Sequence, residues 1–339
     1  MEYIGVFFLL AAVLMIPTVE ASRRPGPRPL LRPSATTICD FYTREIWGNN
    51  TARNQKLLMT VLVNTFVTGN YTTPNTGVTV AGIATPAVYN GTTVDLLPYF
   101  TGALNSTNLG GDHGASKPFL DNGAAAPLAA NMPSNGDVNS AQYKLLTHIY
   151  QYFRTLTGCS LQGGSSFPRY SGRASMYEVH RFMDLDIFQM SFFIRQVHDS
   201  ALSLGLSSAD AAWLANTLDT LFNRHCAPAT RIEGISAPPE FQAVCIAENC
   251  LNYSPATCGL YPRDGVALVP VNATHSNDPS SESSTQGGRP PSSSTSVSAT
   301  SNAPNSTFTG GAMPMVSSGH GGLMGWFIAG TLIIMATLA

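Results

Sequence analysis

The chain has 339 residues, of which only 18 are Lys or Arg and 20 are Asp or Glu, for a formal charge of -2. Charge this sparse and balanced leaves no basic face or Lys/Arg run suited to nucleic acid, so nucleic-acid partners are set aside. Length admits one or two domains, but composition at both ends leaves a single folded region, residues 36–265, long enough for one sizeable core.

Residues 1–21 read as a secretory leader: Ile4 to Ile16 is apolar, and Val19-Glu20-Ala21 forms a small-x-small site before Ser22. Residues 22–35 are rich in Arg and Pro and are expected to be disordered; the Arg23-Arg24 pair is a processing site or carries no role. Residues 266–310 are dominated by Ser, Thr, Pro, Asn and Gly, the composition of a disordered, O-glycosylated stalk. Within 311–339, the apolar run from Leu323 to Ala339 ends with no basic residue after it. A stop-transfer helix is normally followed by cytoplasmic Lys or Arg, so the tail reads as a GPI-attachment signal with Gly310 as the attachment residue. A plain C-terminal membrane anchor is the alternative. Either way the protein is expected outside the cell and held to the plasma membrane or cell wall.

Cys39, Cys159, Cys226, Cys245, Cys250 and Cys258 are an even set in a secreted chain, which implies three disulfides. Proximity in sequence suggests Cys250 with Cys258. N-glycosylation sequons begin at Asn49, Asn70, Asn90, Asn105, Asn252, Asn272 and Asn305 and mark surface loops.

In chain order, residues 40–69 carry one apolar face at helical spacing (Leu57, Leu58, Val61, Leu62, Thr65, Phe66) and end at Gly69. Residues 71–94 are a loop or small hairpin with Asn90-Gly91 as its turn, followed by Asp95-Leu-Leu-Pro-Tyr-Phe. Residues 101–137 read as a long irregular insertion. A second helix over 138–157 aligns Leu145, Ile149, Tyr152, Phe153 and Leu156, and Gly158 stops it. A glycine-rich loop leads to a short helical stretch around His180. Asp186 then caps a longer helix over 186–206, with Gln189 three residues on as a capping box. Ser208 is expected to cap a fourth helix with Trp213, Leu214, Leu218 and Leu221 inward. A Pro- and Cys-rich segment from 228 to 262 should lie over the helical body.

The stretch Tyr170-Ser171-Gly172, Met176, His180 and Leu185, followed by a long apolar helix, resembles the truncated haemoglobins. Other segments fit the same order: VLVNTFV ending at Val67 as a first helix, LLPYF ending at Phe100 as an aromatic turn, and YKLLTHIYQYFRTLTGC as a second helix. The resemblance spans residues 41–222 with two insertions. It implies a mostly α, globin-like two-over-two helical sandwich, here with loop insertions and a disulfide-bonded C-terminal extension. It implies haem as cofactor, with His180 as proximal iron ligand and Phe100, Met176, Val67, Leu145 and Ile149 around the haem. His148, one residue from a distal position, is a distal partner or sixth ligand, or an ordinary helix residue. Val67, Leu145 and Ile149 cannot donate a hydrogen bond, so oxygen storage or NO dioxygenation of the family's kind is not expected.

The functional expectation is a GPI-anchored surface protein, of the kind found on fungal cells, that binds haem for haem capture, ligand sensing or redox chemistry with a small gaseous or peroxide ligand. The alternative is a haem-free display, adhesion or host-interaction protein on the same skeleton. A non-haem metal held by His180 and Asp184 near Glu178 and Asp186 is a further alternative. No G-x-S-x-G elbow occurs and no catalytic residues are assigned. An open space between the helix at 138–157 and His180 favours haem; a filled one favours the haem-free reading.

Overall fold

A computed structural model of the chain describes residues 31–72, 75–108 and 114–262. The leader, the stalk, the C-terminal tail, Arg23-Arg24, His113, Asn272, Asn305 and Gly310 lie outside the described residues. Among the described residues, no helix is long and apolar enough to cross a membrane.

The fold is mostly helical. Its elements are α1 (Ile38–Trp47), α2 (Ala52–Thr68), β1 (Ala87–Tyr89), β2 (Thr92–Val94), α3 (Leu97–Thr101), β3 (Asn105–Asn108), β4 (Gly114–Ser116), α4 (Ala125–Ala129), α5 (Ala141–Thr157), α6 (Met176–His180), α7 (Ile187–Ser203), α8 (Ser208–Phe222) and α9 (Pro255–Cys258). The helix predicted over 40–69 is two helices. Gly48 closes α1 in the left-handed conformation (φ 79°), and Thr51 caps α2 by accepting from the Asn54 N–H. The apolar face that predicts the helix, Leu57 to Phe66, lies wholly in α2, and the polar run Gly48-Asn49-Asn50 before it marks the break.

The capping box of Asp186 and Gln189 is formed at the start of α7. Ser207, not Ser208, caps α8 by accepting from the Asp210 N–H. Leu214, Leu218 and Leu221 are buried as expected, but Trp213 is 47% exposed and Ala211 is buried on the inward face of α8. The Asn90-Gly91 turn joins β1 to β2 with both residues at positive φ (49° and 80°), the requirement of a type I′ hairpin. The insertion expected to be irregular contains the β3–β4 hairpin and α4.

α2 is the central element. Its residues from Leu58 to Val67 are all buried, with α5 and α7 packed against it, α1 alongside and α8 against α7. The long loops are fastened to this body by buried amides. Gln142, fully buried, accepts from the Asn122 and Ala124 N–H groups and donates to the Ala124 and Pro133 carbonyls. The Gln196 side-chain oxygen accepts from the Ala81 and Gly82 N–H groups at 2.9 and 3.0 Å. Gly82 is required there: its φ is +86°, and a Cβ would lie 2.5 Å from the Gly69 nitrogen at the end of α2. Gln55 donates to Asp40 and Asn50 and accepts from the Leu161 N–H.

Part of the segment expected to be disordered is held. Arg32 pairs with Asp210 at 2.7 Å, and Tyr42 donates to the same carboxylate. Burial pushes the Asp210 carboxyl up, but hydrogen bonds from Arg32 and Tyr42 outweigh it and hold the group below its ordinary value. Asn49, Asn70, Asn90 and Asn252 are exposed. Asn105 is not: it is 6% exposed within β3, because the β3–β4 hairpin folds onto α6 and Phe182 instead of looping into solvent.

The disulfides are Cys39–Cys159, Cys226–Cys258 and Cys245–Cys250. The expected Cys250–Cys258 pair is therefore wrong. The chain after Cys250 doubles back, and α9 sets Cys258 beside Cys226 at the end of α8, with Cα atoms 4.9 Å apart. This C-terminal extension has a core of its own, in which Tyr177 of α6 packs with Ala227, Ala243, Ile246, Tyr261, Phe241 and the Cys226–Cys258 bridge. Cys39–Cys159 closes a sequence separation of 120 residues. Replacing both with Ser should cost about 4–5 kcal/mol by loop-closure entropy. Urea unfolding of the folded domain under non-reducing conditions should show a much smaller loss for the Cys245/Cys250 pair, whose separation is 5.

Candidate functional site

A cavity of about 710 Å³ lies between α5 and α6 and is open to solvent at one end. That volume suits a ligand of the size of a cofactor. α5 supplies one wall. Leu145, His148, Ile149, Tyr152 and Phe153 recur at helical spacing and all face it. The opposite wall is Met176, Val179 and His180 of α6 with Met183 beyond it. Phe100 of α3, Phe66 of α2 and Phe193 of α7 close the interior, and Val244 of the extension also reaches it. The space between α5 and His180 is thus open and predominantly apolar.

The structure brings together His180, Phe100, Leu145, His148, Ile149 and Met176. Val67 does not join them. Helical geometry turns successive side chains by about 100°, and Phe66 is the α2 residue that faces the cavity. Because α2 is buried all round, its apolar pattern does not mark which stripe faces the site.

His180 is the last residue of a single-turn helix that Ser175 starts, its hydroxyl accepting from the Glu178 N–H. The His180 Nδ1 lies 2.8 Å from the Met176 carbonyl oxygen. A carbonyl only accepts, so Nδ1 carries the proton and Nε2 keeps a free lone pair. Among the described residues Nε2 has no hydrogen-bond partner. Burial lowers the imidazole pKa, opposed by the bond to Met176, so the ring is neutral at neutral pH. A neutral imidazole on the wall of an apolar cavity, with one nitrogen anchored to a carbonyl and the other unpaired among the described residues, is equipped to ligate a metal centre.

His148 sits across the cavity near its mouth. Its Nε2 is 3.3 Å from the Ser171 hydroxyl, and its ring packs edge-on against Tyr170, which in turn meets Tyr152. Burial lowers its pKa as well. The tyrosine hydroxyls of the wall are mostly engaged: Tyr99 donates to the Met183 carbonyl and Tyr170 to the Arg173 carbonyl. Tyr152 is the exception, with a buried hydroxyl that has no partner among the described residues. At the rim, Lys144 and Arg173 are exposed and form no ion pair among the described residues. The loop leading to the mouth is held by Arg154. This fully buried guanidinium donates to the Phe167 and Cys159 carbonyls and stacks 4.0 Å over the Phe167 ring.

The alternative metal set does not converge. α6 ends at His180, Asp184 follows in a left-handed conformation (φ 49°), Glu178 pairs with Arg181, and Asp186 caps α7. Among the described residues the close group of metal-ligating side chains is His225 with Cys226 and Cys258, whose sulfurs are joined in a disulfide. Sequence reasoning missed Phe66, Lys144, Tyr170, Arg173 and Val244 as wall residues. Lys144 was legible, one turn before His148 on the same helix face. Val244 was not, since nothing local ties residue 244 to residue 180.

Comparison with protein-family models, with curated proteins and with solved structures returns no match for this chain.

Both cavity histidines have lowered pKa values, so between those values and about pH 6.5 the unfolded chain binds more protons than the folded one. Stability of the ligand-free domain should therefore fall as pH drops through that window. Urea midpoints measured from neutral to mildly acid pH should decline, and a His148→Phe, His180→Phe double variant should show a flatter profile.

Proposed function

We propose that the domain binds haem through His180 and presents it at the cell surface. One observation carries this reading: an apolar cavity is walled on one side by a neutral histidine whose Nδ1 is fixed to a carbonyl and whose Nε2 has no partner among the described residues. The residues fit the group. The volume accommodates a flat macrocycle, the aromatic and aliphatic walls suit its faces, and Lys144 and Arg173 stand at the rim where its carboxylates would meet solvent. When bound, haem supplies an iron that takes diatomic or peroxide ligands.

This chain's residues would do the rest. His180 would hold the iron, and its bond to Met176 would set the ring orientation and the basicity of Nε2. Phe66, Leu145, Ile149 and Phe153 exclude water from the interior. Among the described residues, His148 is the imidazole on the opposite wall and would be the candidate sixth ligand. Apart from the unpartnered Tyr152 and Ser106 hydroxyls, the buried wall is mainly apolar, which favours capture or sensing over peroxide activation. The packing of α2 with α5 and with α7, and of α7 with α8, supports reading the helices as a globin-like two-over-two sandwich, in which α6 would be the short proximal helix. The leader, stalk, glycans and GPI tail proposed from the sequence would display this site outside the cell.

Hemin titration of the purified secreted protein should give a saturable one-to-one Soret band that His180→Ala abolishes. A folded protein with no such band would leave the haem-free display protein as the reading. In the ferrous state, a six-coordinate spectrum that turns five-coordinate in His148→Ala would assign His148 as the sixth ligand. Lys144→Glu with Arg173→Glu should slow hemin capture at low ionic strength, with the difference from wild type shrinking as salt screens the rim.

A further inference from the structure

α6 has five residues and cannot hold its own position: isolated helices shorter than about 12 residues are marginal even in good sequences. Something outside it must place His180. One short run of the C-terminal extension, residues 241–247, fastens the N-terminal end of α6 and also the chain at Leu185, five residues past its last residue. At the N-terminal end, the Phe241 carbonyl accepts from the Tyr177 N–H (3.2 Å) and from the Ser175 hydroxyl (2.7 Å). The next residue, Gln242, is 1% exposed. Its Oε1 accepts from the Met176 N–H (3.3 Å) and its Nε2 donates to the Ala174 carbonyl (2.9 Å). Beyond the helix, the Ile246 and Ala247 N–H groups converge on the Leu185 carbonyl at 3.1 and 3.2 Å. Between these clamps Val244 reaches the cavity wall, and its N–H donates to the Phe222 carbonyl at the end of α8. The Cys245–Cys250 bridge fixes the loop on which the Leu185 clamp sits.

Gln242 occupies the decisive place. Met176 is the residue whose carbonyl orients the His180 ring, and Gln242 grips the N–H of that same residue. Gln242 also reaches the Glu240 carbonyl (3.2 Å), so the strap and the helix share one buried amide. We infer that the 241–247 strap is a positioning device for His180, with Gln242 as its positioning residue, acting through Met176 on the orientation and ligand strength of the imidazole. The extension is thereby part of the binding site and not an appendage to it. This inference rests on the haem reading, and its test separates the two.

The variants are Gln242→Met, which keeps volume and removes the amide, and Cys245→Ser with Cys250→Ser, which loosens the other clamp. Each is loaded with hemin as the full secreted protein and compared with wild type and His180→Ala. Partners behind a metal ligand typically change affinity by 10–100-fold, so hemin loss to an excess of an apoprotein acceptor should quicken about tenfold in Gln242→Met. The iron–histidine vibration of the ferrous five-coordinate protein should shift, while circular dichroism stays helical. In the ligand-free protein, imidazole nitrogen NMR should show His180 losing its fixed Nδ1–H tautomer. A purely structural role would lower thermal stability without moving the iron–histidine vibration or the tautomer. If Gln242→Met does not fold, the paired Ser variant is read in its place. Unchanged hemin loss, vibration and tautomer in whichever variant folds would overturn the positioning role while leaving the haem reading intact. Equal hemin binding by wild type and His180→Ala would overturn the haem reading itself, and the ligand-free tautomer would still report whether Gln242 orients the ring.

Discussion

The site depends on one hydrogen bond, from the His180 Nδ1 to the Met176 carbonyl on the same turn of helix. It fixes the tautomer, which fixes the nitrogen left free, which decides what the cavity can hold. A single turn cannot maintain such a bond by itself, because nucleating a helix fixes several residues for one hydrogen bond. The rest of the domain compensates. Ser175 caps the turn, Tyr177 anchors its outer face in the small core of the extension, and the strap holds its flanks. The inner face of the same turn is cavity wall. One five-residue element is thus packed on one side and left open on the other.

A second theme is the use of buried amides where a chain with few charges must hold long loops. Gln55, Gln142, Gln196 and Gln242 are all buried, and each joins a helix or strap to a loop through backbone groups that would otherwise be orphaned. An amide offers both donors and acceptors without the desolvation cost of an ion, so it suits loops that present mixed N–H and carbonyl groups. Arg154 does similar work with a charge. Among the described residues it forms no ion pair; it makes its hydrogen bonds to carbonyls, stacks on Phe167, and has its pKa lowered to about 9 by burial. These devices hold the mouth and the interior walls of the cavity at fixed positions while the sequence around them remains glycine- and threonine-rich.

Much of this was legible in the sequence. The helices at α2, α5, α7 and α8 follow from three- and four-residue apolar spacing. The capping box at Asp186, the stop at Gly158 and the Asn90-Gly91 turn follow from chemistry confined to four or five consecutive residues. The order of these parts, with His180 on a short helix between a loose loop and a capped long helix, was enough to single out His180 and most of its cavity. The errors have a common character. Val67 was chosen over Phe66 because a helix buried on all sides gives no periodic clue to the face that matters. Trp213 was placed inward because large apolar residues usually are, yet here the solvent face of α8 carries it. The gap at 48–51 was overlooked although Gly48-Asn49-Asn50 marks it, because the apolar spacing that carried the prediction lies wholly in α2.

By itself, then, the sequence determined much of the local structure: the long helices, several of their caps and stops, and which histidine stands at a break. Those depend on hydrogen bonds and side-chain periods that span a few residues. Only the tertiary structure decided which cysteines pair, which amides are buried, that Asn105 lies inside, and that residues 241–247 reach back to clamp residues 174–185. Those outcomes depend on contacts between positions tens of residues apart, for which the sequence carries no local signal. The cavity belongs to the second class. Its walls come from helices each of which could bury the same apolar face in other ways, and only their packing leaves the space between α5 and His180 open.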